Sequence, residues 1–231
     1  MRIQSAIRPS LFLPALLLGF GLRPMVAQSS EQTKHEHEKQ ADPDHAVSGG
    51  GAVPAGWSVR PDDAAGAANV KVVEMGKGLH VTLGPAIILY QTKHAGNGPF
   101  HTLATFTLTK PAKHPEGYGL FYGGKALDGK GQKYTYFLVR GTGEYLVKVR
   151  DGADTRNVVE WKASDAVPKA DASGKASYTL KAHVAPDTVH FSVNGKLVAA
   201  VAKAGVPTDG VAGLRINHNL HVAVTPVSIT K

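Results

Sequence analysis

The sequence predicts an all-β fold, an antiparallel β-sandwich or barrel. From residue 57 to residue 231, apolar and polar residues alternate in short runs, as they do in strands that bury one face. Gly, Pro, Asn and Asp separate the runs at roughly 8 to 12 residues, a spacing typical of sandwiches and barrels. No window in this range has the period of about 3.6 residues that marks an amphipathic helix. The predicted strands include HVTLG, TLATFTLT, YTYFLVR, YLVKVR, SYTLKAHV, VHFSVNG, KLVAAV, GLRIN and LHVAV.

The segment ahead of the predicted sandwich is typical of an exported protein. Residues 1–10 carry two arginines and no acid, and residues 11–22 (LFLPALLLGFGL) are a short apolar run. This run is too short to span a hydrocarbon core of about 30 Å. We therefore expect a signal peptide over residues 1–27, a secreted or periplasmic protein and no membrane span after cleavage, with a membrane anchor as the less favoured alternative. The chain has no Cys, which excludes a Cys-linked lipid and a disulfide framework.

Residues 28–50 are polar and lack periodicity, which predicts a flexible acidic tether that contains His. HEHE at 35–38 contains metal-ligand types, but a flexible segment gives them no fixed geometry, so solvated side chains are favoured. The sandwich domain is expected to occupy residues 51–231, where 21 Lys and Arg outnumber 13 Asp and Glu. This basic balance favours general attraction to acidic polymers. Since no Lys/Arg cluster or nucleic-acid motif accompanies it, we expect no nucleic-acid partner.

Three hairpins can be placed in register from their turns. Asn-Gly at 194–195 is a strong two-residue turn signal, so Val193 should face Lys196 and Phe191 should face Val198. The turn APDT at 185–188 sends one set of side chains into the core: Leu180, Ala182, Val184, Val189, Phe191 and Val193. It places Val184 opposite Val189 and Ala182 opposite Phe191. Gly-Thr-Gly at 141–143 pairs Arg140 with Glu144, Phe137 with Val147, and Val139 with Tyr145.

Several of these segments together resemble a known superfamily. VHFSVNGKLVAAV, then GVAGLRINHNLHVAV and a terminal VSIT, resemble the last strands of concanavalin A-like lectin/glucanase jelly rolls. GYGLFYGG, YTYFLVRGTGEYLVKVRDG and VVEW are similar to the middle of secreted bacterial members, nearest to 3-keto-disaccharide hydrolase-like domains. The resemblance covers about residues 57–231 and implies an antiparallel β-sandwich of two sheets, a concanavalin A-like, LamG-like jelly roll. Its motifs specify strands and turns rather than chemistry.

The sequence does not decide whether the protein is an enzyme, but it favours a non-catalytic protein. Retaining glucanases of this superfamily present an E-x-D-x-E strand with carboxylates about 5 Å apart. The chain has no such string, no G-x-S-x-G and no H-E-x-x-H. Its acids in the sandwich are scattered: Glu74, Glu116, Glu144, Glu160, Asp128, Asp151 and Asp154. A carboxylate pair assembled from distant strands remains an open alternative, and no catalytic residue is assigned.

The face opposite the core offers a candidate ligand site. If Phe137 and Val147 point inward, alternation sends Tyr136 outward across from Lys148, and Tyr134 across from Arg150. The predicted ligand-binding residues, called here the tyrosine platform, are Tyr118, Tyr122, Tyr134, Tyr136, Lys148 and Arg150. Tyr rings suit the apolar faces of sugars, and cations donate to hydroxyls or acidic groups. The alternative is that the tyrosines pack beneath loops and the cations only solvate the surface.

Metal and cofactor signals are weak, and we expect no cofactor, with Ca²⁺ as an open possibility. His183 and His190 fall opposite each other, but the sequence shows no third ligand for a metal ion. RDGAD at 150–154 places two carboxylates in a short turn, whereas Ca²⁺ takes about six to eight oxygens. Trp57 and Trp161 are expected to pack in the core or at its rim.

These observations favour a secreted, non-catalytic β-sandwich module that binds carbohydrate or a cell-envelope glycan. Two alternatives remain. One is a glycoside-processing hydrolase of the 3-keto-disaccharide hydrolase-like type, which rests on the resemblance alone. The other is a structural envelope protein, which explains the sequence equally well if the tyrosines are buried.

Overall fold

The computed structural model describes residues 43–231, which form a sandwich of short strands. The strands are β1 (Ser58–Pro61), β2 (Val70–Met75), β3 (Gly78–Leu83), β4 (Ile87–Gly96), β5 (Phe100–Leu108), β6 (Tyr118–Lys125), β7 (Lys133–Arg140), β8 (Glu144–Asp151), β9 (Asp154–Ala163), β10 (Ala176–Val184), β11 (Thr188–Val193), β12 (Lys196–Ala202), β13 (Gly210–Ile216), β14 (His221–Val224) and β15 (Ser228–Thr230). Two 3₁₀ helices, Ala64–Asn69 and Lys203–Gly205, complete the regular structure of this part of the chain. None of its helices is long and apolar enough to cross a membrane.

Two antiparallel sheets form the layers of the sandwich. The front sheet has the order β1-β4-β13-β6-β7-β8-β9, and the back sheet has the order β12-β11-β10-β5-β14-β3-β2, with β15 paired to β5. Neighbours in each sheet are often distant in sequence, as in β13 between β4 and β6. This order is that of a jelly roll, and the predicted all-β sandwich is confirmed.

The main core lies between the two sheets. Phe137 and Val147 of the front sheet and Phe191 of the back sheet are fully buried there, and the rings of Phe137 and Phe191 lie 5.0 Å apart. All the side chains of β10 and β11 that were predicted to point inward are buried in this core: Leu180, Ala182, Val184, Val189, Phe191 and Val193. The partly buried Trp57 packs against the same core, which confirms its expected place at the rim.

The predicted hairpin registers are confirmed with one exception. Ala182 faces Phe191, Val184 faces Val189, and β7 and β8 pair in the predicted register throughout. Asn194 and Gly195 have φ of 51° and 80°, as the predicted turn requires. Val193 faces Lys196, but Phe191 faces Ala199 rather than Val198, so that one predicted pair is wrong. The register shifts between Phe191 and Ser192 because β12 has a bulge, which adds a residue to one strand.

The ordered domain begins earlier than the predicted boundary at residue 51. Asn219 accepts a hydrogen bond from the backbone N–H of His45 at 2.8 Å and donates to the carbonyl of Pro43 at 3.1 Å. The backbone N–H of Val47 donates to Asn69 Oδ1 at 3.1 Å. Residues 43–50 therefore dock on the sandwich, and the prediction that they belong to a flexible tether is wrong. The signal peptide at 1–27 and the tether at 28–42 lie outside the described residues.

Candidate functional site

The outer face of the front sheet carries four of the six residues of the tyrosine platform. Tyr136 faces Lys148, and Tyr134 faces Arg150, in the register that the sequence predicts. Because the residues between them point into the core, these four side chains project on the opposite side of the sheet. The predicted grouping of these four residues on one face is confirmed.

Tyr118 and Tyr122 do not belong to this face, and their assignment to the platform is wrong. Both are fully buried in the main core, where the ring of Tyr122 lies 6.3 Å from that of Phe191. The pairing of β6 with β7 places Tyr118 opposite Val139, which also points inward. Between the two tyrosines, Phe121 points outward instead. Alternation shows that Tyr118 and Tyr122 share a face, but GYGLFYGG has aromatic residues on both faces and does not say which one is the core.

Tyr134 and Tyr136 form a buried floor rather than an exposed stacking surface. Only 1% of Tyr134 and 6% of Tyr136 is exposed to solvent. Their rings lie 5.7 Å apart, and the ring of Phe121 lies 5.2 Å from that of Tyr134. Burial raises the pKa of both hydroxyls, to about 12 for Tyr136, so both stay protonated near neutral pH. A ligand at this face would therefore meet the edge of the floor and the polar groups above it.

An ion pair that the sequence analysis did not identify lies on this floor. Arg215 of β13 donates to both carboxylate oxygens of Asp62, which follows β1, with each N···O distance 2.7 Å. The guanidinium carbon of Arg215 lies 5.8 Å from the centre of the Tyr136 ring. The side chain of Arg215 is 9% exposed and that of Asp62 is 29% exposed. The two residues lie far apart in sequence, and only the sheet order, which places β4 between β1 and β13, brings them together.

Both members of this ion pair remain charged. Burial of Asp62 alone would raise its pKa, but the hydrogen bonds and positive charge of Arg215 outweigh this effect and lower the pKa of the carboxyl. Burial of Arg215 alone would lower its pKa, but the bonds to Asp62 more than compensate, so its pKa is raised. Arg150 also lowers the pKa of Asp62 through its charge. Asp62 is thus an ionised acceptor among cations.

Other donors surround this acceptor. The Nη2 atom of Arg60 donates to the carbonyl of Gly129 at 3.2 Å, and Nε of Arg150 donates to the carbonyl of Gly152 at 2.9 Å. Within residues 43–231, Arg60 Nη1 and Arg215 Nε are buried nitrogens with no hydrogen-bond partner. Such groups are costly to bury unless water or a ligand satisfies them. The site can therefore receive a polar ligand that both accepts and donates hydrogen bonds.

A second ion pair closes the far end of the same face. Nε of Arg140 donates to Glu144 at 2.7 Å, and the guanidinium lies 4.3 Å from the centre of the Trp161 ring. Hydrogen bonds from Arg140 and Thr142 lower the pKa of Glu144 to about 2. Trp161 packs against the outer apolar cluster, which confirms its expected packing role. One face of its ring is covered by Arg140, so this end is a closed rim rather than an open stacking site.

The scattered acids have individual partners in several cases. Asp151 pairs with Lys133 at 2.8 Å, and Glu160 accepts a hydrogen bond from Asn157 at 2.6 Å. The charged groups that shift the pKa of Asp62 are Arg215, Arg150 and His218, which are all basic residues. A carboxyl that acts as a general acid needs a raised pKa, whereas the pKa values of Asp62 and Glu144 are lowered.

The predicted His183–His190 pair lies on the outer face of the back sheet together with a third histidine. His183 faces both His190 and His101, and the rings of His183 and His101 stack at 4.2 Å. Sequence spacing could not show His101, which is on β5. In the described part of the chain, no group of three or more His, Asp or Glu side chains is arranged to hold a metal ion. Asp151 and Asp154 of RDGAD face each other across a tight turn between β8 and β9.

Solved structures with the same fold are found at low sequence identity. The carbohydrate-binding module CBM66 from Bacillus subtilis aligns with a TM-score of 0.58 and 15% identity, over 76% of this chain and 96% of that chain. A protein of unknown function with a galectin-like fold, from Bacillus subtilis, aligns with a TM-score of 0.53 and 14% identity. The alignment covers 75% of this chain and 88% of that chain. A β-glucanase from Bacillus licheniformis aligns with a TM-score of 0.53 and 12% identity. The alignment covers 78% of this chain and 94% of that chain. These similarities show the concanavalin A-like jelly-roll fold that the sequence predicts. No protein family and no curated protein matches the sequence.

Proposed function

We propose that this protein is a secreted, non-catalytic module that binds carbohydrate on the outer face of its front sheet. The observation that carries the proposal is the Asp62–Arg215 pair, held on the ring of Tyr136 and flanked by Arg150 and Lys148. A sugar presents adjacent hydroxyls that both donate and accept. A fixed carboxylate beside fixed guanidinium groups is complementary to such a pattern.

A solved structure with the same fold adds support. CBM66 is described as a carbohydrate-binding module, and its fold covers three-quarters of this chain. Rigid sheets with polar groups projecting from one face are suitable scaffolds for ligand recognition, because the strands hold the groups in place. Since one fold hosts many functions, the polar residues of this face, rather than the fold, favour carbohydrate binding.

The non-catalytic part of the proposal rests on the carboxylates. Asp62 is held in its ionised form by arginines, and Glu144 is held in the same form by Arg140 and Thr142. Hydrolysis through two carboxyl groups requires one of them to carry a proton that it can donate. Secretion rests on the sequence of residues 1–27 alone.

Binding should be measured on a glycan array and then by titration with a responsive polysaccharide. Asp62→Asn, Lys148→Gln and Tyr136→Phe should each weaken binding several-fold. The first two remove a charge and the third removes a hydroxyl, and each preserves most of the side-chain shape. Lys196→Gln, an exposed lysine on the back sheet, is the matched control. The loss caused by Lys148→Gln should shrink at high salt, whereas the loss caused by Tyr136→Phe should persist.

Two results would overturn the proposal. Polysaccharide affinity that is indifferent to all three substitutions would remove the ligand site from this face. Reproducible turnover in a hydrolysis screen, abolished by Asp62→Asn or Glu144→Gln, would establish the hydrolase alternative in place of a binding module.

A further inference from the structure

A second cleft lies on the outer face of the back sheet, and nothing in the proposed carbohydrate site involves it. Its walls are the docked segment 45–48 and the outward-facing side chains of β2, β3 and β14. Its volume is about 510 Å³. Sites for small organic ligands span about 300 to 1,000 Å³. The cleft is therefore large enough for a molecule rather than for a single ion.

The charged lining of this cleft has one sign. Lys71, Lys110, His45, His80 and His221 line it, and none of its described lining residues is acidic. Lysines and protonated imidazoles are donors that suit carboxylate and phosphate oxygens. Two of the 21 Lys and Arg in residues 51–231, and none of the 13 Asp and Glu, line the cleft.

Asp44 and Glu74 adjoin lining residues in sequence, but neither lines the cleft. Asp44, next to His45, accepts from Nδ1 of His218 or pairs with its cation, at 2.6 Å. His218 does not line the cleft. The described lining of the cleft thus contains no carboxylate group.

Hydrogen bonds orient two of the imidazoles. The hydroxyl of Thr109 donates to the backbone carbonyl of His221 at 3.1 Å, so its oxygen is left to accept from Nε2 of His80 at 3.2 Å. Nδ1 of His221 contacts the hydroxyl of Thr82 at 3.2 Å. Each contact occupies one ring nitrogen and leaves the other, Nδ1 of His80 and Nε2 of His221, for a ligand. The rings are therefore held in place before a ligand arrives.

The cleft also has an apolar part. Val73 is 42% exposed and Met75 is 62% exposed, and both line the cleft. They are on β2, an edge strand of the back sheet, where alternation points them away from the core. Exposed apolar side chains beside a cluster of cations suit a ligand that is anionic at one end and apolar at the other.

We propose that this cleft binds an organic anion whose carboxylate or phosphate oxygens contact the lysines and histidines and whose apolar part covers Val73 and Met75. Lys71 and Lys110 supply ammonium groups, and the imidazole of His221 adds a further cation when it gains a proton. The charges that face His221 belong to Lys110, His80 and His45, and burial together with these charges lowers its pKa. Affinity for the anion should consequently rise as the pH falls, because the His221 imidazole adds a cation to the cleft when it gains a proton.

The test is titration calorimetry of the full chain with hexanoate, butyl phosphate and inorganic phosphate, at about pH 7.5 and about pH 5.5, above and below the ordinary histidine pKa of about 6.5. Both organic anions should bind more tightly than inorganic phosphate and more tightly at the lower pH. The tighter of the two identifies the preferred head group. The double variant Lys71→Gln/Lys110→Gln should lower the affinity for both organic anions about tenfold, a change expected for the loss of two charge-assisted contacts.

Matched variants separate a site from general charge attraction. Lys125→Gln/Lys196→Gln removes the same net charge at exposed positions outside the cleft and should leave affinity within about twofold. Val73→Thr, which keeps the side-chain shape, should lower the affinity for hexanoate and leave the affinity for inorganic phosphate unchanged. Equal losses in the two double variants would overturn the proposal, as would inorganic phosphate binding as tightly as the organic anions.

Discussion

Asp62 and Arg215 form an ion pair whose removal has a defined cost. Asp62→Asn leaves the guanidinium of Arg215, 9% exposed, without its anion. Removing one partner of a fully buried pair costs about 3–5 kcal/mol, and the partial exposure of Asp62 reduces this to about 1–3 kcal/mol here. Denaturant unfolding of the variant and the wild type measures the difference.

Because the folded pKa of Asp62 is lowered, the stabilisation from the Asp62–Arg215 pair is present above the ordinary carboxyl pKa and is lost as the pH falls through the folded value.

Glu144→Gln is the control for this measurement. It breaks a pair of the same type, Arg140–Glu144, whose side chains are 21% and 24% exposed. A partly exposed pair contributes about 0–1 kcal/mol. If the two variants lost equal free energy of unfolding, burial of Arg215 would not be what makes its pair important.

The stacked histidines of the back sheet predict a second effect on stability. Burial and the nearby Lys181 lower the pKa of His101, and burial, His101, His190 and Lys181 lower that of His183. As the pH falls below the unfolded value near 6.5, the unfolded chain gains protons that the folded chain resists. The free energy of unfolding should therefore decrease from pH near 7 down to the folded pKa values. His101→Gln/His183→Gln should flatten this decrease, and an unchanged slope in the double variant would contradict the assignment.

The residues of the site differ in how well the sequence predicts them. Tyr134, Tyr136, Lys148 and Arg150 follow from the β7–β8 turn, because a known register fixes which side chains share a face. The burial of Tyr134 and Tyr136 does not follow from the turn, since it depends on neighbours from β6 and from the outer apolar cluster. Asp62 and Arg215 could not be paired from sequence, because the order of the front sheet is set by the whole fold.

At the scale of elements, the β11–β12 hairpin tests how far one turn determines register. Gly195 has φ of 80°, and a Cβ there would meet no atom within 4 Å, so any cost of a side chain comes from the backbone. Gly195→Ala should lose about 1–2 kcal/mol in unfolding free energy. Gly205, which also has open space around its Cβ position, lacks a positive φ, so Gly205→Ala should be neutral or slightly stabilising. Equal effects would mean that the Asn-Gly turn is not under conformational constraint.

Alternation alone predicts the orientation of a strand where one face is buried, but not where both faces are buried. β7 is buried on both faces, and its hairpin with β8 predicts its orientation. β5, β10 and β11 alternate between buried and half-exposed residues, and each corresponds to a predicted run. β4 begins with consecutive buried residues and β6 is buried along nearly its whole length. A central strand covered on both sides has no polar face, so period-two alternation does not reveal its orientation. This is the physical reason for the error at Tyr118 and Tyr122.

At the scale of the whole molecule, residues 43–50 are part of the domain. A chain that begins at residue 51 loses the hydrogen bonds of Pro43, His45 and Val47 and the Asp44–His218 pair. Partly exposed hydrogen bonds contribute about 0.5–1.5 kcal/mol each, less the entropy of ordering the segment. The melting temperature should fall by about 2–6 °C relative to a chain that begins at residue 43. Identical melting curves would show that the segment contributes nothing to stability.

The two proposed sites lie on the outer faces of opposite sheets, with the main core between them. That core is close-packed and is formed by side chains that belong to neither site, such as Phe137 and Phe191. No described residue lines both sites. Occupancy of one site should therefore leave the other unchanged: saturating hexanoate should alter polysaccharide affinity by less than about twofold, since sites without a shared two-state element are not coupled.

The variants should act on one site each. Asp62→Asn should leave hexanoate affinity intact, and Lys71→Gln/Lys110→Gln should leave polysaccharide affinity intact. A reciprocal change in both affinities would instead show that one ligand spans both faces or that the sandwich transmits a conformational change.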